Sequence, residues 1–80
     1  MVKMRRSSIW AHEEGGHYVT LEPVGWTVWR PSVSGTHVVS DCAFPATDDG
    51  KALAIARVLY LARGPGRWAR EATEIAKRSA

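Results

Sequence analysis

One cysteine, Cys42, stands in this eighty-residue chain, so no intramolecular disulfide can staple it. No apolar run approaches the roughly 18 residues that a membrane-spanning helix needs. The basic start, Lys3, Arg5 and Arg6, leads into no apolar segment of the kind that follows it in a secretory signal, so a cytoplasmic location is the default expectation. There is no internal repeat and no low-complexity tract. His12, His17, His37, Asp41 and Cys42 lack the Cys-x2-Cys or His-x3-His spacing of a zinc site, so no metal is expected. Gly64-Pro65-Gly66-Arg67 lacks the pattern of a phosphate-binding loop. Glu13 and Glu14 are neighbours in a turn-like stretch rather than a positioned acid/base pair. No cofactor is therefore expected, and the chain does not read as an enzyme.

What the chain does have is one long periodic segment, Thr47 to Arg63. Ala and Leu dominate it, and both are strong helix formers. Thr47 or Asp48 can cap its first turn, Asp48 and Asp49 suit the positive end of the helix dipole, and Arg63 suits the negative end. Gly64-Pro65-Gly66 stops it. Ala52, Ile55, Ala56, Leu59 and Ala62 share one face, Leu53 and Tyr60 an adjacent stripe, and Val58 and Leu61 widen the apolar surface. The spacing predicts a helix over 48–62 that is covered on more than one side.

Upstream, the pattern changes to the alternation of strands. Ser8 to Ala11 reads as a short strand or a helical turn, and Glu13 to Gly16 as a turn. His17 to Glu22 alternates, Trp26 to Arg30 is rich in strand formers, and Thr36 to Phe44 is a third strand ended by Pro45. The links between them are too short for parallel crossovers, which predicts an antiparallel meander. Val19, Leu21, Trp26, Val28, Val38, Cys42 and Phe44 are expected to face the long helix. Tyr18, Thr20, Thr27, Trp29, His37 and Val39 are expected to face outward. Arg67 to Ser79 reads as a second helix, with Trp68, Ala72, Ile75 and Ala76 on one face and Arg67–Glu71, Arg70–Glu74 and Glu74–Arg78 as i,i+4 pairs on the other. Trp68 and Ile75 should cover the Val58/Leu61 side of the first helix. The expected fold is α+β: a three-stranded antiparallel sheet packed on one long helix, followed by a second short amphipathic helix. Residues 1–7 are expected to form a flexible basic arm and residues 8–80 a single small domain.

From His17 to Gly64 the order of elements, with Gly25-Trp26, Phe44, Thr47 and Ala52 in place, resembles two groups of sheet-and-helix domains. One comprises small bacterial and phage domains of unknown function. The other is the three-stranded DNA-binding domain of plant ethylene-response factors and of the arm-binding region of tyrosine integrases. The second resemblance implies a sheet that lies in the DNA major groove and presents arginines, whereas the three expected strands here supply only Arg30. Arginine makes up eight of the eleven basic residues and alanine is abundant, a composition similar to that of high-GC actinobacteria and their phages.

Charge and aromatics define the partner classes. Residues 1–50 carry a net −2 and residues 51–80 a net +5, within a total of +3. That asymmetry suits a nucleic-acid partner, with Lys3, Arg5, Arg6, Trp29, Arg30, Arg67, Arg70, Lys77 and Arg78 as the candidate contacts. Four Trp and two Tyr exceed what so small a core needs. The second class is accordingly a protein-interaction module, a homodimer or an inhibitor of another protein, with Tyr18, Trp29, Leu61 and Trp68 at the interface. A small, unstapled chain also gains stability by self-association, so a homo-oligomer is expected.

Overall fold

The computed structural model describes residues 9–66 and 68–78. The proposed basic arm at 1–7 and Arg67 lie outside that set. Four strands precede two helices: β1 (Ile9–Glu14), β2 (His17–Glu22), β3 (Gly25–Pro31), β4 (Val38–Phe44), α1 (Asp48–Arg63) and α2 (Trp68–Arg78). The strands form one antiparallel sheet in the order β1-β2-β3-β4. The expected three-stranded sheet is therefore corrected to four. The additional strand is Ile9–Glu14, which takes in the Glu13-Glu14 pair whose sequence reads as a turn. The turn is confined to Gly15 and Gly16, and the polar residues Glu13 and Glu14 still pair with Tyr18 and His17.

α1 lies across one face of the sheet and contacts all four strands, and α2 folds back onto α1. The core consists of Val19, Trp26 and Val28 from the sheet, Ala54, Ile55, Ala56, Val58 and Leu59 from α1, and Ala72 and Ala76 from α2. Trp68, Ile75 and Leu61 pack against that cluster, as the helical spacing predicted. Thr47 caps α1 by accepting a hydrogen bond from the Gly50 N–H at 3.0 Å. Gly64 closes it with its N–H to the Tyr60 carbonyl at 2.8 Å.

Two glycines let backbones approach closely, one between neighbouring strands and one at the start of α1. Gly25 has φ +121°, and a Cβ there would lie 2.1 Å from the Phe44 carbonyl oxygen. At Gly50 a Cβ would lie 1.8 Å from the Pro45 carbonyl oxygen. Both positions exclude any side chain, because backbone atoms cannot give way as a flexible side chain can.

Each edge strand carries a register shift, between Trp10 and His12 on β1 and opposite Val28/Trp29 on β4. The second shift, at Asp41, changes an expectation. Trp26 pairs with Phe44 and Val28 with Cys42, but beyond the bulge Trp29 pairs with Ser40, Arg30 with Val39 and Pro31 with Val38. Val38 therefore lies on the outward side and Val39 on the helix side, the reverse of strict alternation. The inserted residue shifts the side-chain period by one, as bulges do.

Candidate interaction face

Among the described residues no helix packs on the outward face of the sheet. The register places Trp10 and Glu13 of β1, Tyr18, Thr20 and Glu22 of β2, Thr27 and Trp29 of β3, and Ser40 and Ala43 of β4 on that face. Trp10 is 51% exposed. Its ring meets Tyr18 edge-on, with centroids 5.2 Å apart and planes at 88°, an arrangement that aligns one ring's positive edge with the other's negative face. Tyr18 pairs directly with Trp29 across β2 and β3. The three aromatics thus share one face across three strands, Trp10 in ring contact with Tyr18 and Trp29 opposite Tyr18 in the register.

A short hydrogen-bond chain fixes the cluster. The Trp29 Nε1–H donates to Thr20 Oγ1 at 2.9 Å, and the Thr20 hydroxyl donates to Glu22 Oε2 at 2.8 Å. Thr20 is fully buried although it lies on the outward face. It pairs with Trp10 on one side, and the indole of Trp29 closes on its hydroxyl from the other. Bonding its only polar atom internally, Trp29 offers a partner an apolar ring held in one orientation, a preorganisation that reduces the entropic cost of binding.

The helix-facing side is organised differently. Asp41, at the β4 bulge, accepts from Arg57 Nε at 2.7 Å and lies 3.6 Å from Arg30 Nε. The Arg57 hydrogen bond holds the Asp41 carboxyl below its ordinary pKa. Burial, reinforced by the Asp41 hydrogen bond, pushes the Cys42 thiol up, which disfavours the thiolate. Glu14 accepts from Arg63, which also donates to Glu71 at 2.7 Å, so one guanidinium ties β1, α1 and α2 together. Those bonds lower the Glu14 pKa and raise that of Arg63. Burial lowers the pKa of His17. Among the described residues no three of His, Cys, Asp and Glu converge as metal ligands would.

The sequence-proposed contacts fall into separate places. Trp29 and Tyr18 lie together on the outward face, both half-buried. Arg30 lies on the helix side with Asp41. Leu61 and Trp68 pack against the core between the two helices, Trp68 edge-on to Tyr60 at 6.1 Å. Arg70, Lys77 and Arg78 are exposed on α2. The expected Arg70–Glu74 and Glu74–Arg78 pairs do not close, and among the described residues Arg70, Lys77 and Arg78 make no ion pair. Lys3, Arg5, Arg6 and Arg67 lie outside the described residues.

Two surface features were not anticipated. The sequence pattern assigns Trp10 no face, because Ser8–Ala11 reads as either a strand or a helical turn. The preference of Ile and Trp for strands was the available signal. The other is an open apolar groove of about 340 Å³ lined by Phe44, Leu53, Ala56, Arg57, Tyr60 and Trp68. It forms where β4, α1 and α2 meet, and Leu53 is 53% exposed beside it.

No family model, curated protein or solved structure matches the chain, so its own residues carry the functional reading. Among the described residues no helix is long and apolar enough to cross a membrane.

Proposed function

We propose that the chain is a small non-enzymatic protein-interaction module whose binding surface is the outward face of the sheet. One observation supports the reading: Trp10, Tyr18 and Trp29 lie on a sheet face that no helix covers among the described residues, and the Trp29 indole is held by Thr20, whose hydroxyl is bonded in turn to Glu22. Fixed aromatics in a partly desolvated setting are the residues that dominate protein interfaces. The bulges on both edge strands favour use of the face over strand addition at an edge, since bulges interrupt the row of hydrogen-bonding groups that a new strand needs.

Selection of displayed peptides on the immobilised full chain, with Trp10→Ala as the counter-target, tests this. Peptides that bind the native chain and lose at least about tenfold against Trp10→Ala are expected, as for an interface anchor worth about 1.4 kcal/mol or more. Peptides that bind both equally would rule the face out.

A second reading keeps one specific observation. Arg70, Lys77 and Arg78 are exposed cations on α2 without ion-pair partners among the described residues, which suits phosphate contacts. A gel shift at low salt on duplex and single-stranded DNA tests it. Binding that weakens when Arg70 and Lys77 become Ala supports this reading, and no shift at tens of micromolar folded protein removes it.

A further inference from the structure

We infer that the groove between α1, α2 and the end of β4 is a second binding surface, for a helical protein segment that sets a carboxylate between two apolar side chains. The groove lies on the helix side of the sheet and shares no residue with the outward face. Its floor is a stripe of α1. Leu53, Arg57 and Tyr60 follow one another at i, i+4 and i+7, a row about 10 Å long. Phe44 lines it from β4 and Trp68 from α2. Leu53 and Tyr60, at the two ends of the row, are both exposed. The rings are already ordered: Trp68 meets Tyr60 edge-on at 6.1 Å, and Arg57 stands over Tyr60 at 5.8 Å. A partner helix laid along this row presents its own side chains at the same spacing. The groove is open rather than enclosed, which suits a chain segment better than a small ligand, whose site buries most of its surface.

Charge selects the occupant. Among the described residues that line the groove, Arg57 is the only charged one. Its guanidinium donates to Asp41 through Nε at 2.7 Å and Nη2 at 3.5 Å, and Nη1 has no hydrogen bond among the described residues. Asp41 is shared, since Arg30 Nε lies 3.6 Å from it. One carboxylate thus serves two guanidiniums, and the group keeps one positive charge in excess. The Asp41 side chain is only 15% exposed, against 40% for Arg57 and 42% for Arg30. The negative charge therefore sits inside and the positive charge outside. An incoming carboxylate at Nη1 gains a charge-assisted hydrogen bond. Apolar side chains on either side of it then cover Leu53 and the Tyr60–Trp68 pair. A nucleic acid is disfavoured here, because phosphates need a row of cations and the lining supplies one. The chain's net +3 favours an acidic partner over a second copy.

The test uses the folded full chain and the indole N–H signals of its four tryptophans. The probe is an alanine-rich peptide of about eighteen residues, long enough to be helical, with Leu and Phe at the spacing of Leu53 and Tyr60 and Glu between them. One companion peptide carries Gln for that Glu, another Ala for the Leu and Phe, and a short oligothymidylate is the polyanion control. The Glu peptide is expected to move the Trp68 signal while those of Trp10, Trp26 and Trp29 stay in place. The Gln and Ala peptides should each bind about three- to tenfold more weakly, and added salt should weaken only the Glu peptide. Leu53→Ala, at an exposed site, should weaken the Glu peptide by a similar factor. Arg57→Gln should abolish the difference between the Glu and Gln peptides, with the Trp26 signal reporting that the variant is folded. The peptide substitutions leave the chain untouched and decide the matter by themselves if that variant is not. An unmoved Trp68 signal overturns the inference, as does equal binding of the Glu and Gln peptides. A Trp68 shift that follows the chain's own concentration without peptide overturns it by assigning the groove to a second copy. A shift produced by the oligothymidylate alone overturns it in favour of a nucleic acid. Movement of Trp10 and Trp29 without Trp68 overturns it while leaving the outward-face reading in place.

Discussion

Trp26 and Trp29 lie three residues apart on the same strand and have opposite fates. Trp26 points to α1, is 8% exposed, pairs with Phe44 and has Lys51 over its ring. Trp29 points away from the helices, is half-buried, and spends its N–H on Thr20. The two faces of the sheet contain similar residue types, but among the described residues only one has a helix to cover it. On the covered face the aromatic ring helps hold the layers together. On the open face comparable apolar surface needs polar partners to keep it ordered, and it stays available to another molecule. Apolar area left open in this way marks interaction surfaces more often than stability.

The sharpest way to break the comparison is to remove one ring from each face. Trp26→Ala should destabilise the fold by about 3–5 kcal/mol, the cost of deleting a large buried aromatic and leaving a cavity. Denaturant unfolding followed by far-UV circular dichroism measures it. A loss below about 1 kcal/mol would mean that the helix-facing side is not the core.

A subtler change addresses what orders the open face. Thr20→Val keeps shape but removes the hydroxyl, leaving the Trp29 N–H and the Glu22 carboxylate without that shared partner. The expected cost is about 1–3 kcal/mol, since an unsatisfied buried donor loses more than a net hydrogen bond. The Trp29 indole signal should shift while that of Trp26 does not.

How much of this was legible beforehand differs between the faces for a physical reason. Both helices, the cap at Thr47 and the stop at Gly64 follow from periodicity and local chemistry, and the sequence carries both directly. The pairing of Tyr18 with Trp29 followed from the alternation of two adjacent strands joined by a short turn. β1 escaped because Glu13-Glu14-Gly15-Gly16 looks like a turn throughout, whereas pairing with β2 extends the strand through Glu14. With β1 went Trp10, the most exposed member of the aromatic cluster. The reversal of Val38 and Val39 depends on one inserted residue at Asp41, and no local pattern announces a bulge that cross-strand pairing creates. The ion pairs were equally out of reach. Arg57–Asp41 and Arg63–Glu14 join residues distant in sequence, while the expected Arg70–Glu74 and Glu74–Arg78 pairs on α2 stay open.

Acid titration separates the helix-facing side again. Asp41 has its pKa lowered by the Arg57 hydrogen bond. Its contribution is therefore present above the unfolded carboxyl value near 3.8 and is lost as pH falls through the lower folded value. His17, lowered by burial, adds an earlier step in the same direction: below its ordinary value of 6.5 the unfolded chain takes up the proton first, so stability falls. Melting temperature against pH should decline in two windows. Asp41→Asn should flatten the acid one at a cost of about 1 kcal/mol near neutrality, because Arg57 is partly solvated. An unchanged acid limb in Asp41→Asn would mean that other carboxylates govern it.

The smallest expected effect on stability is also the most telling for function. Trp10 is half-exposed, contributes nothing to the buried cluster, and its one defined ring contact is with Tyr18. Trp10→Ala should cost about 0.5 kcal/mol, the low end for an aromatic pair, and leave the melting curve close to that of the native chain. The same substitution opens a gap at the edge of the cluster where a partner would make its first apolar contact. If the open face exists to be bound, binding should fall by about tenfold or more while stability hardly moves. Unfolding and peptide titration on one preparation measure both quantities together. A stability loss like that of Trp26→Ala would show the open face to be a second core, and undiminished binding would show that the partner sits elsewhere, with the groove beside Leu53 and Tyr60 the next surface to probe by Leu53→Ala.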